Sequence, residues 1–176
     1  RLTDVTGVQT CALPIFKLDN LPAAATYSYK ALEKTIEIND RSEESTARVN
    51  LAKILILSGD IQAAQKNLDL SMKLAGETGN VKAKTAAQFY KGEIYLKNSN
   101  NPDSALACYN RSLDLAVTGN DEYFRSKALY RIGESFYYKQ RYDSCEVYAK
   151  MSLESADKFG FRSEERRVGK ECRSRW

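Results

Sequence analysis

Histidine is missing from all 176 residues. That excludes imidazole acid–base catalysis and imidazole metal ligands along this stretch of chain. Cysteine occurs four times, with no CxxC pair and no spacing that suggests a disulfide framework. No apolar run approaches the roughly 18 residues that a membrane span needs. The most apolar stretch, LAKILILSG, is interrupted by Lys53 and ended by Gly59. The glycine-rich phosphate loop GxxxxGK[ST], the dinucleotide pattern GxGxxG and the nucleophile elbow GxSxG are all lacking. Metal hydrolysis, nucleotide binding and serine hydrolysis therefore have no local support.

Charge of one sign is in excess, at net +4, and that excess sits at the ends. Arg162–Trp176, RSEERRVGKECRSRW, holds six Lys/Arg and would suit a phosphate-binding arm. Its codons, however, can be written in frame as one arm of a short-read sequencing adapter. Val5–Ile15, VTGVQTCALPI, resembles the other arm, and the base that follows that arm agrees with Phe16. Arg1–Asp4 then reads as adapter stem and sample index. A second RSEE, Arg41–Glu44, is native, because Ser45 has no codon that continues the adapter. Residues 1–15 and 162–176 are accordingly read as adapter-derived and expected to be disordered.

Those ends carry seven of the 27 Lys/Arg and four of the 23 Asp/Glu, leaving 20 and 19 and a net charge of +1. Nucleic-acid binding by bulk charge loses its basis within this piece. The remaining 16–161 is one domain's worth of chain, expected to be internal to a longer gene. Its two cysteines, Cys108 and Cys145, stand where small apolar residues would and read as buried free thiols. Both cytoplasm and periplasm stay open.

What is present is a repeat. Asn39, Gly79, Gly119 and Gly160 recur at about 40 residues, as left-handed helix caps would. Small residues keep the same step at Ala52, Gly92 and Gly133, at Ala24, Ala64, Ala105 and Cys145, and at Ala31, Ser71, Ser112 and Ser152. A large apolar residue follows each member of the last column: Leu32, Met72, Leu113 and Leu153. Each period divides into two helical halves, as in VNLAKILILSGD followed by IQAAQKNLDLSMKLA. Asp60 and Asn101 are expected as caps and Pro102 as a first-turn residue. Small side chains are needed where paired helices approach closely.

VNLAKILILSGDIQAAQKNLDLSMKLA resembles a tetratricopeptide repeat. The resemblance covers Phe16 to Phe161 and implies an all-α fold, an α-solenoid of stacked antiparallel helix hairpins forming a right-handed superhelix of about seven helices. The expected copies are a partial repeat over 16–40 and full repeats over 45–80, 84–120 and 125–160. The signature Trp and the terminal proline are absent, Ala52 replaces a glycine and Cys145 an alanine, and SNNP adds one residue to the third copy.

The resemblance further implies a concave groove lined by first helices. Its residues would be Val49, Lys53 and Ile56, with Thr46 and Leu57 beside them. The next pair would add Phe89, Glu93 and Lys97, flanked by Ala86 and Leu96, and the last Tyr130, Glu134, Tyr137 and Tyr138, with Lys127. An apolar track, Val49–Phe89–Tyr130, would run beside a charged one, Lys53–Glu93–Glu134. The basic clamp of the family's chaperone-tail binders is not at these positions.

The expected function is a noncatalytic scaffold that binds a protein or peptide segment, with no cofactor, no metal and no nucleic-acid partner in this piece. Uncapped ends predict possible self-association. Two alternatives remain: the sensory repeat region of a bacterial histidine kinase or helix-turn-helix regulator, and an accessory domain of an enzyme whose catalytic part lies elsewhere. A peptide-pheromone receptor is a third variant of binding. The tyrosine-rich YRIGESFYYKQRY reads as core at helical spacing, and the acid pairs Glu43–Glu44 and Asp121–Glu122 as helix-start residues.

Overall fold

The computed structural model describes residues 21–159, so the two adapter-like ends lie outside the described residues. Among these residues seven helices follow one another: α1 (Leu21–Glu37), α2 (Arg41–Ser58), α3 (Ile61–Thr78), α4 (Val81–Lys97), α5 (Pro102–Thr118), α6 (Glu122–Tyr138) and α7 (Tyr142–Phe159). No strand occurs among the described residues. None of these helices is long and apolar enough to cross a membrane.

The chain divides into two compact units, and the boundary falls inside α4 between Tyr90 and Lys91. In the first unit α2 packs against both α1 and α3; in the second, α6 packs against both α5 and α7. The small-residue columns supply the close approach. Ala24, Ala52, Ala64 and Ala105 are all fully buried, and Cys108 and Cys145 are buried free thiols. Burial raises the Cys108 pKa, which favours the protonated thiol.

The serine column does more than save space. Ser71 Oγ donates to the Ser45 carbonyl of the preceding helix at 2.7 Å, and Ser152 Oγ donates to the Ser126 carbonyl at 3.1 Å. The same buried hydroxyl thus pins the second helix of a hairpin to the first in each unit. Gly92 faces the Tyr109 ring so closely that a Cβ there would lie 2.5 Å from Cε1. Only glycine fits at that point. Gly133 is less tight, with 3.4 Å to the Cys145 carbonyl oxygen.

The joints between helices are nearly identical. Residues with positive φ occur at Asn39, Gly59, Gly79, Asn100, Asn120 and Gln140, so the turn recurs every half repeat. The next residue closes one helix and opens another. Asp40 N–H bonds Thr35 O, Asp60 N–H bonds Leu55 O, Asp121 N–H bonds Ala116 O and Arg141 N–H bonds Phe136 O. These are the six-to-one bonds of a left-handed C-terminal cap. The side chains of Asp40, Asp60, Asn80, Asn101 and Asp121 then accept from the backbone N–H three residues on.

The expected caps at Asp60 and Asn101 are present, and Pro102 starts α5. Gly119 differs from expectation. Its φ is −85°, and the left-handed position is taken by Asn120. The extra residue in SNNP moves the joints after it one position along, and Asn tolerates that conformation.

Candidate functional site

Glu93 lies near the end of α4 and is only 7% exposed. A carboxylate so placed needs partners, and it has several. Arg131 on α6 meets it as a fork, Nε to Oε1 at 2.5 Å and Nη2 to Oε2 at 3.0 Å. Tyr109 on α5 donates its hydroxyl to Oε1 at 2.9 Å, and Lys97, one turn along α4, places Nζ 3.0 Å from Oε2. The remaining arm of Arg131 reaches Glu134 Oε2 at 2.6 Å. Two carboxylates face two cations, so the cluster is neutral and saturated.

Electrostatics follow from this geometry. Burial raises the Tyr109 pKa first, and the neighbouring Glu93 charge raises it further, far above the ordinary tyrosine value. Burial works against the Arg131 charge, but Glu93 and Glu134 outweigh it and hold the guanidinium protonated. The cluster can fix the spacing of α4, α5 and α6 in this unit. It offers no free acid, base or nucleophile, and it is a structural tie.

Three of the expected groove residues, Glu93, Lys97 and Glu134, are therefore brought together by Arg131 and Tyr109, neither of which the groove pattern named. A partial signal existed: Arg131 lies one turn before Glu134, in a column that carries Asn50 and Tyr90 in the earlier copies. The apolar track fares differently along its length. Val49 and Phe89 are each 3% exposed and lie among packed residues, whereas Tyr130 is half-buried. Lys53 and Ile56 are half-buried on α2, and Leu57 is exposed.

Tyr137 and Tyr138 are exposed by 39% and 55%. With Tyr130 and Glu134 they occupy positions i, i+7, i+8 and i+4 on one face of α6. Tyr137 makes edge contacts with Tyr138 at 6.2 Å and Tyr142 at 5.9 Å between ring centres. Arg131 Cζ sits 5.3 Å from the Tyr130 ring centre. The tyrosine-rich stretch is thus partly surface.

The acid pairs serve helix starts. Asp121 caps α6, Glu122 pairs with Arg125, and Glu44 pairs with Arg48. No group of three or more metal-ligating side chains occurs among the described residues.

No family model matches the chain, and no curated protein does. Solved structures do, at the level of fold. A putative kinesin light chain of Podosopora anserina with nearly identical TPR-like repeats aligns over 99% of this chain and 95% of its own, at 9% identity and TM-score 0.69. Aspartyl phosphate phosphatase F of Bacillus subtilis aligns over 91% of this chain at TM-score 0.78 and 12% identity. A STAND signal-transduction ATPase with a tetratricopeptide repeat sensor, from Pyrococcus horikoshii, aligns over 94% at TM-score 0.69 and 16% identity. The chain spans 42% of the phosphatase and 26% of the ATPase. The fold is that of tetratricopeptide-repeat proteins, all-α and built of stacked antiparallel helix hairpins.

Proposed function

We propose that this chain is a noncatalytic interaction scaffold which takes a peptide or protein segment on the first helices of its hairpins. The carrying observation is the face of α6, where Tyr130, Tyr137 and Tyr138 remain accessible beside a charge cluster already saturated within the protein. Rigid aromatic rings on a helix are efficient anchors, because they bury much surface at little entropic cost. Lys97 and Glu134 supply polar edges to that face, and Lys53 and Ile56 offer the corresponding accessible positions on α2. Val49 and Phe89 act from beneath, by setting the helices that carry the contacts.

A signalling context is the second reading. The likeness to an ATPase whose repeats are described as a sensor, and to a phosphatase of aspartyl phosphate, favours a regulatory array over an accessory domain of an enzyme. Those activities belong to those proteins. Here the repeats would carry the recognition step, and any catalytic or membrane part would be outside this piece.

The test is a binding titration with a peptide selected on the full chain. Replacing Tyr130 and Tyr138 together by Ala is expected to weaken binding about tenfold or more, as for aromatic anchors elsewhere. Unchanged affinity in a folded double variant would reject the proposed face.

A further inference from the structure

Five of the six joints obey one rule, Asn or Gly in the left-handed position followed by Asp or Asn as cap. The pairs are Asn39–Asp40, Gly59–Asp60, Gly79–Asn80, Asn100–Asn101 and Asn120–Asp121. The sixth, between α6 and α7, breaks it twice. Gln140 holds φ +57° without the local hydrogen bonding that lets Asn tolerate that region. Arg141 follows where an acceptor belongs, and it places a positive charge at a helix start, where the macrodipole opposes it. The backbone bonds of the joint are nevertheless intact, with Arg141 N–H on Phe136 O at 2.9 Å.

The same joint carries the exposed tyrosines. Tyr137 and Tyr138 end α6, and Tyr142, 47% exposed, begins α7. Arg141 is itself exposed and is braced on Phe136, with Cζ 5.3 Å from the ring centre; Phe136 in turn stacks on Tyr148 at 5.5 Å. The neighbouring charges are otherwise matched. Lys139 pairs with Asp103 and Lys150 with Glu146, while Asp143 sits in the first turn of α7, where its sign suits the dipole. Among the described residues no carboxylate pairs with Arg141. A guanidinium at the expense of a cap, next in sequence to Tyr142 and on the same joint as the rings that meet at Tyr137, is an arrangement that helps a ligand more than it helps the fold.

We propose that the α6–α7 joint is a docking surface for a short acidic peptide segment. One carboxylate of the segment pairs with Arg141, and an adjacent apolar or aromatic side chain lies over Tyr137, Tyr138 and Tyr142. This inference rests on the scaffold reading above and gives it a partner class and a second point of contact, at the edge of the α6 face.

Random short peptides displayed on phage and selected on the full chain supply the probe, with affinities then measured by fluorescence polarisation. Enriched sequences are expected to place Asp or Glu next to an apolar residue. The double variant Gln140→Asn/Arg141→Asp restores the rule of the other joints. It should melt at a higher temperature than the parent and bind the selected peptides at least about tenfold more weakly. Tyr138→Ser, at the most exposed ring, should weaken binding without changing the melting temperature. Peptides without acidic residues, equal affinity for the Asn/Asp variant, or a variant less stable than the parent would each overturn the proposal. Peptides that ignore these changes but lose affinity on Tyr130→Ala and Lys97→Ala would overturn this surface and leave the scaffold standing. No enrichment at all would reject both.

Discussion

Tyr109 shows how one residue can be tied to both packing and charge. Its ring lies against Gly92, where no side chain fits, and its hydroxyl serves the buried Glu93. Ionising that hydroxyl would put an anion beside a carboxylate, so the folded state holds the proton more tightly than the unfolded chain does. Its contribution to stability is therefore full below the ordinary tyrosine value of about 10 and is lost as pH rises beyond it. Tyr109→Phe is expected to cost about 1–2 kcal/mol at neutral pH, because Glu93 loses a donor. The same variant should lose less of its remaining stability between neutral and alkaline pH than the parent does. Urea midpoints at both pH values check this, and an equal alkaline loss in the two proteins would contradict it. Sequence reasoning placed Glu93 and Glu134 on an exposed charged track. It missed the burial because Arg131, which pairs with both, lies 38 positions from Glu93, and only packing brings the two together.

At the scale of the element, the joints set where each helix stops, and glycine has opposite effects at two places. Gly59 holds φ +85° at the α2–α3 joint, whereas Gly76 lies inside α3 with open space around its Cα. Gly59→Ala should cost about 1–2 kcal/mol by forcing a side chain into the left-handed region. Gly76→Ala should gain about 0.5–1 kcal/mol by restricting the unfolded chain. Urea midpoints of the two variants should move in opposite directions; movement in the same direction would refute the conformational account.

Much at this scale is readable from the chain. The 40-residue columns predict hairpins because interhelix contact demands small residues at fixed steps, and Ala64, Ala105 and Cys145 are buried as that demands. The half-repeat period was present too, in pairs such as Asn-Asp and Gly-Asp. Following glycine alone hides it, since Asn120 and Gln140 take the same conformation without being glycine. The hydroxyl bonds from Ser71 and Ser152 to backbone carbonyls were not legible, because a small residue in that column needs no hydroxyl to fit.

Across the whole molecule, the proposed function depends on which surface a partner covers. Resemblance implied an apolar track through Val49, Phe89 and Tyr130, yet two of those three are buried, so the proposed recognition surface centres on Tyr130, Tyr137 and Tyr138. That shift was hard to foresee, because an apolar residue on a first helix can face either its hairpin partner or solvent at the same spacing. The most direct measurement is amide hydrogen exchange of the full chain with and without a selected peptide. Slowed exchange confined to the first helices α2, α4 and α6 and to the α6–α7 joint is the predicted result. Protection confined to the second helices α3 and α5, with α6 unchanged, would contradict the claim that this chain recognises partners through its first helices.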